Sequence, residues 1–233
     1  MKALAVIAAL LCVHSAAAGL RDVDFEPHPG ARLPLNVQLY EEGRAVRLDR
    51  YFGTAPVVLQ LGYLGCVNLC STTLIGAAEA LSGTGLTPGR DYVALFVSID
   101  PRDESTPPHR REGWHFLTGA ASAAAVARAV GFRYAYEAQS GEFAHPAGFV
   151  ILAPDGTVAG YFSGVRFDAP GLRGALLAAG RGASAPSAFE RLLLVCFHDP
   201  QYGRYTAAVL DAMRIAMALF LAALGALAWR RLR

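Results

Sequence analysis

The chain has 233 residues, of which 54% are hydrophobic and 17% charged, with a formal net charge of +2. That length suits one well-buried domain with appendages and is short for two full domains. A near-neutral chain without a block of like charges in its body lacks the concentrated basic face of a nucleic-acid binder, so that class is set aside.

The apolar excess lies at the two ends. Lys2, the apolar run 3–13 and Ala16-Ala17-Ala18 before Gly19 read as a secretory signal peptide over residues 1–18, which would carry Cys12 and His14 away. The run is too short to cross a bilayer, which needs about twenty apolar residues. At the other end, residues 215–229 (IAMALFLAALGALAW) carry no charge and are flanked by Arg214 and by Arg230, Arg231 and Arg233. Extended back to residue 207, this segment is expected to form a C-terminal transmembrane helix over 207–229, with Asp211 near the surface. Its basic tail suits a cytoplasmic end. The expected topology is a single-pass protein of the inner cell membrane with its body in the periplasm.

The body runs from about residue 33 to 180. Leu35, Val37 and Leu39 alternate as in a half-buried strand, and residues 56–63 (PVVLQLGY) read as a central strand buried on both faces. A helix is expected over 72–81 with its stop at Ser82-Gly83, then a second buried strand over 92–99 (YVALFVSI) and an alanine-rich helix over 122–130 ended by Gly131. Residues 149–152 and 157–162 read as antiparallel strands joined at Pro154-Asp155-Gly156. A last helix over 168–179 has Asp168 as N-cap and Gly180 as stop. The order strand, helix, strand, helix, hairpin, helix predicts an α/β thioredoxin-like sandwich with a mixed sheet, parallel early and antiparallel late. Residues 181–206 read as a linker and a Cys196-containing segment.

Cys66 and Cys70 fall between a central strand and a helix, at the carboxyl end of the strand where open α/β sheets place their sites. On a helix this spacing puts both sulfurs on one face, with Cβ atoms about 5–6 Å apart. Two fates remain open: a disulfide after a small local adjustment, or a soft two-thiolate site suited to Cu(I). A helix N-terminus favours the thiolate in either case.

The stretch Gly62-Tyr63-Leu64-Gly65-Cys66-Val67-Asn68-Leu69-Cys70-Ser71-Thr72-Thr73-Leu74 resembles the C-x-x-x-C segment of the SCO/SenC family. Val97-Ser98-Ile99-Asp100-Pro101-Arg102-Asp103, Trp114-His115-Phe116-Leu117-Thr118-Gly119 and Phe143-Ala144-His145-Pro146-Ala147-Gly148-Phe149 are similar to its later motifs, in the same order. The resemblance implies a thioredoxin-like copper-delivery protein for cytochrome c oxidase assembly, with copper held by Cys66, Cys70 and His145. The implied partner is the copper-bearing subunit of the oxidase. The alternative function is a thiol-disulfide reductase acting on that subunit's cysteines through Cys66 and Cys70. Many members have proline after each cysteine and an acidic residue before the histidine, where this chain has Val67, Ser71 and Ala144.

His28, His109 and His115 are expected to be structural or solvated. Cys196-Phe197-His198-Asp199-Pro200, followed by Gly203-Arg204-Tyr205, resembles a stretch before the anchor in C-terminally anchored members. Cys196 and His198 alone make an incomplete metal site.

Overall fold

The computed structural model describes residues 23–65, 69–105, 111–182 and 215–217, with the side chains of residues 69–71 outside that set. The body is a seven-stranded mixed sheet covered by helices on both faces. Nine strands occur in chain order among the described residues: β1 (Gln38–Glu41), β2 (Arg44–Arg47), β3 (Val57–Gly62), β4 (Val93–Ser98), β5 (Trp114–Thr118), β6 (Ala135–Glu137), β7 (Glu142–Ala144), β8 (Gly148–Leu152) and β9 (Val158–Ser163). The helices are α1 (Leu69–Gly83), α2 (Ala120–Ala129) and α3 (Ala169–Gly180). The main sheet has the order β2-β1-β5-β4-β3-β8-β9, and β6 and β7 form a separate two-stranded ribbon.

At the centre, β3 pairs in parallel with β4, and β4 with β5, while β8 pairs antiparallel with β3 and β9 antiparallel with β8. This is the predicted mixed sheet, parallel early and antiparallel late. Every residue of β3 is buried, as its uninterrupted apolar pattern requires of a strand covered on both faces. Val57, Leu59 and Leu61 point into one layer with Val126 and Ala127 of α2; Val58 points into the other with Ala77 and Leu81 of α1 and Leu172 and Leu176 of α3.

Local chemistry sets the expected boundaries. In the Pro154-Asp155-Gly156 turn, the Ala153 N–H donates to Thr157 O at 2.8 Å and the Gly156 N–H to Ala153 O at 2.9 Å. Asp168 caps α3 by accepting from the Gly171 N–H at 2.7 Å. The expected stop at Gly180 shifts by one position: Gly180 is the last helical residue and Arg181 the cap.

Three features differ from the sequence reading. The early strand is Gln38–Glu41, and it forms a hairpin with β2 through Glu42 and Gly43, both in the left-handed region (φ 49° and 76°). Trp114–Thr118, an apolar strand around His115 that the expected element order left out, is a full strand bridging β4 and β1. The body also begins earlier than residue 33: Phe25 forms an isolated bridge with Phe132, and Arg32 with Thr157. The expected anchor 207–229 lies outside the described residues apart from the helical residues 215–217, and among the described residues no helix is long and apolar enough to cross a membrane. The expected signal peptide 1–18 and the segment with Cys196 and His198 also lie outside them.

Candidate metal centre

Strand β3 carries the chain to the site. A Cβ on its last residue, Gly62, would sit 3.3 Å from the Phe96 ring and 3.8 Å from His145 Cε1, so the missing side chain eases the approach of Phe96, and the imidazole lies within contact distance of the strand end. Tyr63 follows, almost fully buried, and Leu64-Gly65 make the turn that leads to Cys66.

That turn is tied to the neighbouring strand by one carboxylate oxygen. Asp103 Oδ2 accepts from the Leu64 backbone N–H at 2.7 Å and from Ser98 Oγ at 2.6 Å. Asp103 is 4% exposed and Ser98 1%. Two short bonds to a buried ionic acceptor hold the entry to the cysteine segment in register with the end of β4. Asp100, on the same loop, takes both oxygens to Arg102: Nε lies 2.9 and 2.8 Å from them, and the Arg102 backbone N–H donates to Oδ1 at 2.8 Å. Burial alone would raise the Asp100 carboxyl, but the Arg102 bonds and charge hold it below its ordinary range. The Arg102 guanidinium carbon stands 6.0 Å from the centre of the Phe143 ring.

His145 lies between β7 and β8. Its Nδ1 is 3.0 Å from the Pro146 carbonyl oxygen. A carbonyl only accepts, so Nδ1 carries the proton and Nε2 the lone pair, the arrangement a metal-ligating imidazole uses. The ring meets Tyr63 edge-on at 5.8 Å and Phe132 at 5.7 Å with 32° between planes. Burial pushes the imidazole pKa down, and the Pro146 bond offsets this only in part, so the neutral, ligand-competent form is favoured. Around it, Phe143 touches Tyr63, Tyr134 and Tyr136 at 5.8, 6.0 and 5.1 Å.

Of the residues singled out from sequence, His145 stands beside the end of β3, and Cys70 belongs to the first turn of α1. Cys66 and the Cys70 side chain lie outside the described set. Among the described residues no group of three or more His, Cys, Asp and Glu side chains is placed to hold a metal. Among the described residues the other two histidines make contacts within the fold: His28 Nδ1 is 3.4 Å from Ala129 O, and His115 Nδ1 is 2.6 Å from Glu41 Oε1. His109 is outside the described residues. Sequence reading missed the roles of Asp103, Ser98 and Tyr63, although all three lie in motifs it quoted, and it missed Phe132 entirely. A buried aspartate two residues after a proline at a strand end was the available signal for Asp103.

A parallel core closed by an antiparallel hairpin, with a cysteine in the first turn of the helix after the central strand, defines a thioredoxin-like protein. Solved structures share the fold. A protein from Aquifex aeolicus VF5 superposes with a TM-score of 0.57 at 20% identity, over 66% of this chain and 95% of that one. ScoI of Arabidopsis thaliana, crystallised with copper bound, gives 0.54 at 21% identity, over 66% and 99%. Yeast Sco1 gives 0.51 at 15% identity, over 66% and 99%. No curated protein matches the chain in sequence. The SCO1/SenC family model matches residues 38–172, more than half of the chain, and the chain belongs to that family.

Proposed function

We propose that this chain is a copper metallochaperone that delivers copper to the copper-bearing subunit of cytochrome c oxidase during its assembly. Cys66 and Cys70 bind the copper cargo as thiolates and His145 completes the set through Nε2. Two thiolates and an imidazole suit copper in either common oxidation state. Transfer is an exchange of ligands: the recipient's donors replace those of this chain one at a time. The observation that carries this reading is the placement of His145 beside the end of β3, with Nδ1 committed to the Pro146 carbonyl. Family membership and the copper-bound relative from Arabidopsis thaliana support it.

The proposal extends to the rest of the chain. Residues 1–18 export the protein, 33–180 form the copper-binding domain in the periplasm, 181–206 are a linker, and 207–229 anchor the protein in the inner membrane with a cytoplasmic C-terminus. This is the C-terminally anchored type within the family.

A second reading has one observation in its favour: Cys70 lies in the first turn of α1, where the helix dipole favours a thiolate. As a thiol-disulfide reductase, one cysteine thiolate attacks the target's disulfide and the other resolves the mixed disulfide. The target leaves with two thiols and this chain with a Cys66–Cys70 disulfide. Copper titration of the reduced chain tests the first reading. One copper per chain is expected, lost in Cys66→Ser and Cys70→Ser and strongly weakened in His145→Ala. A folded, reduced chain that binds no copper overturns it, and a His145→Ala variant with unchanged thiol exchange but no tight copper separates the two.

A further inference from the structure

His145 directly follows strand β7 of a small ribbon. The β6–β7 ribbon that precedes it has three residues in each strand and is not part of the main sheet. A two-stranded ribbon of that size is marginal alone. One hydrogen bond of the ring, from Nδ1, goes to Pro146, its immediate chain neighbour. The imidazole also packs against two rings, Tyr63 and Phe132. Tyr63 is fixed as the continuation of β3, whereas Phe132 lies in the loop after α2 and needs its own support.

Residues 24–26 supply that support. The Glu26 N–H donates to Gly131 O at 2.7 Å and the Arg133 N–H to Asp24 O at 3.1 Å, pairing this strap antiparallel with the backbone on either side of Phe132. The approach requires glycine at 131: φ is 62°, and a Cβ there would lie 1.7 Å from Glu26 O. Between these bonds, the buried Phe25 ring meets Phe132 edge-on at 5.5 Å and Tyr161 at 5.6 Å. Tyr161 is itself anchored, its hydroxyl donating to Val130 O at 3.0 Å.

We propose that the strap at residues 24–26 is a positioning element for the candidate metal centre, with Phe25 holding Phe132 and Phe132 setting the plane of the His145 imidazole. Phe25 touches no ligand and acts through another residue. The functional weight of this device rests on the copper reading, but the device itself is read without copper.

The test uses the full-length, metal-free chain with ¹³C-labelled histidine, and follows the ring-proton resonances of His145, assigned by their loss in His145→Asn. Tyr63 and Phe132 displace these resonances by their ring currents. In Phe25→Ala the part of the displacement that comes from Phe132 is expected to be lost, while the part from Tyr63 remains. Phe25→Leu keeps the apolar contact and the strap pairing while removing the ring, and gives a smaller change of the same sign. Leu176→Ala, in the opposite core layer, is expected to lower stability and leave His145 in place. Unchanged His145 resonances in both Phe25 variants overturn the proposal, as does an equal change in Leu176→Ala. In the copper-loaded chain, affinity is expected to fall about 10–100-fold in Phe25→Ala, the range for residues that orient a metal ligand. If the parent chain binds no copper, the chaperone reading fails and the proton resonances still decide the strap.

Discussion

His145 and His115 both engage Nδ1, against partners of different kinds. His145 meets the carbonyl of the next residue at 3.0 Å, within a half-buried aromatic surround. His115 meets the Glu41 carboxylate, 74 residues away, at 2.6 Å, and Tyr51 donates to the other oxygen of that carboxylate at 3.1 Å. The second arrangement joins β5, β1 and the turn after β2, so the ring is spent on the fold. The first only orients its ring, because a bond to an adjacent residue closes no long loop and stabilises little tertiary structure.

The largest expected effect separates the two directly. His145→Ala is expected to weaken copper binding by more than about 100-fold, beyond the range for outer residues, while His115→Ala leaves copper binding intact and lowers stability by about 1 kcal/mol. Parallel copper titrations and urea melts check both, and loss of copper binding in His115→Ala breaks the distinction. Next, Asp103→Ala strands the Leu64 N–H and the buried Ser98 hydroxyl. A loss of about 2–4 kcal/mol is expected from two unpaired donors, with faster amide exchange at Leu64. An Asp103→Ala chain as stable as the parent shows that the cysteine turn does not depend on this carboxylate.

The smallest effect concerns the structural histidine's own network. Burial first, and then the Glu41 charge and hydrogen bond, push the Tyr51 phenol above its ordinary pKa. The unfolded chain therefore loses this proton first as pH rises. The stability it contributes is intact below about pH 10, the ordinary tyrosine value, and declines above it. Tyr51→Phe is expected to cost about 1 kcal/mol at neutral pH and to flatten the alkaline decline, measured as urea midpoints on either side of that pH. An unchanged alkaline slope in Tyr51→Phe removes Tyr51 from the network.

What could be read in the chain was whatever local chemistry specifies. The unbroken apolar run of β3 demands burial on both faces, and Pro154-Asp155-Gly156 and Asp168 mark a turn and a cap through their own hydrogen-bonding. The β1–β2 hairpin went unread because its turn uses Glu42 at positive φ, a conformation that a glutamate does not advertise. Trp114–Thr118 is short, and its strand character comes from lying between β4 and β1, which are distant in sequence.

The candidate site divides in the same way. Cys66, Cys70 and His145 were singled out through ordered motifs that resemble a family's, and the mixed sheet followed from periodicity and turns. The supports were decided by the tertiary structure alone. Asp103 reaches Leu64 across 39 positions, and Phe25 reaches Phe132 between segments that only the folded chain brings side by side. The physical reason is that the bond to the Leu64 amide and the ring packed on Phe132 depend on long-range juxtaposition, which leaves no periodic trace along the chain.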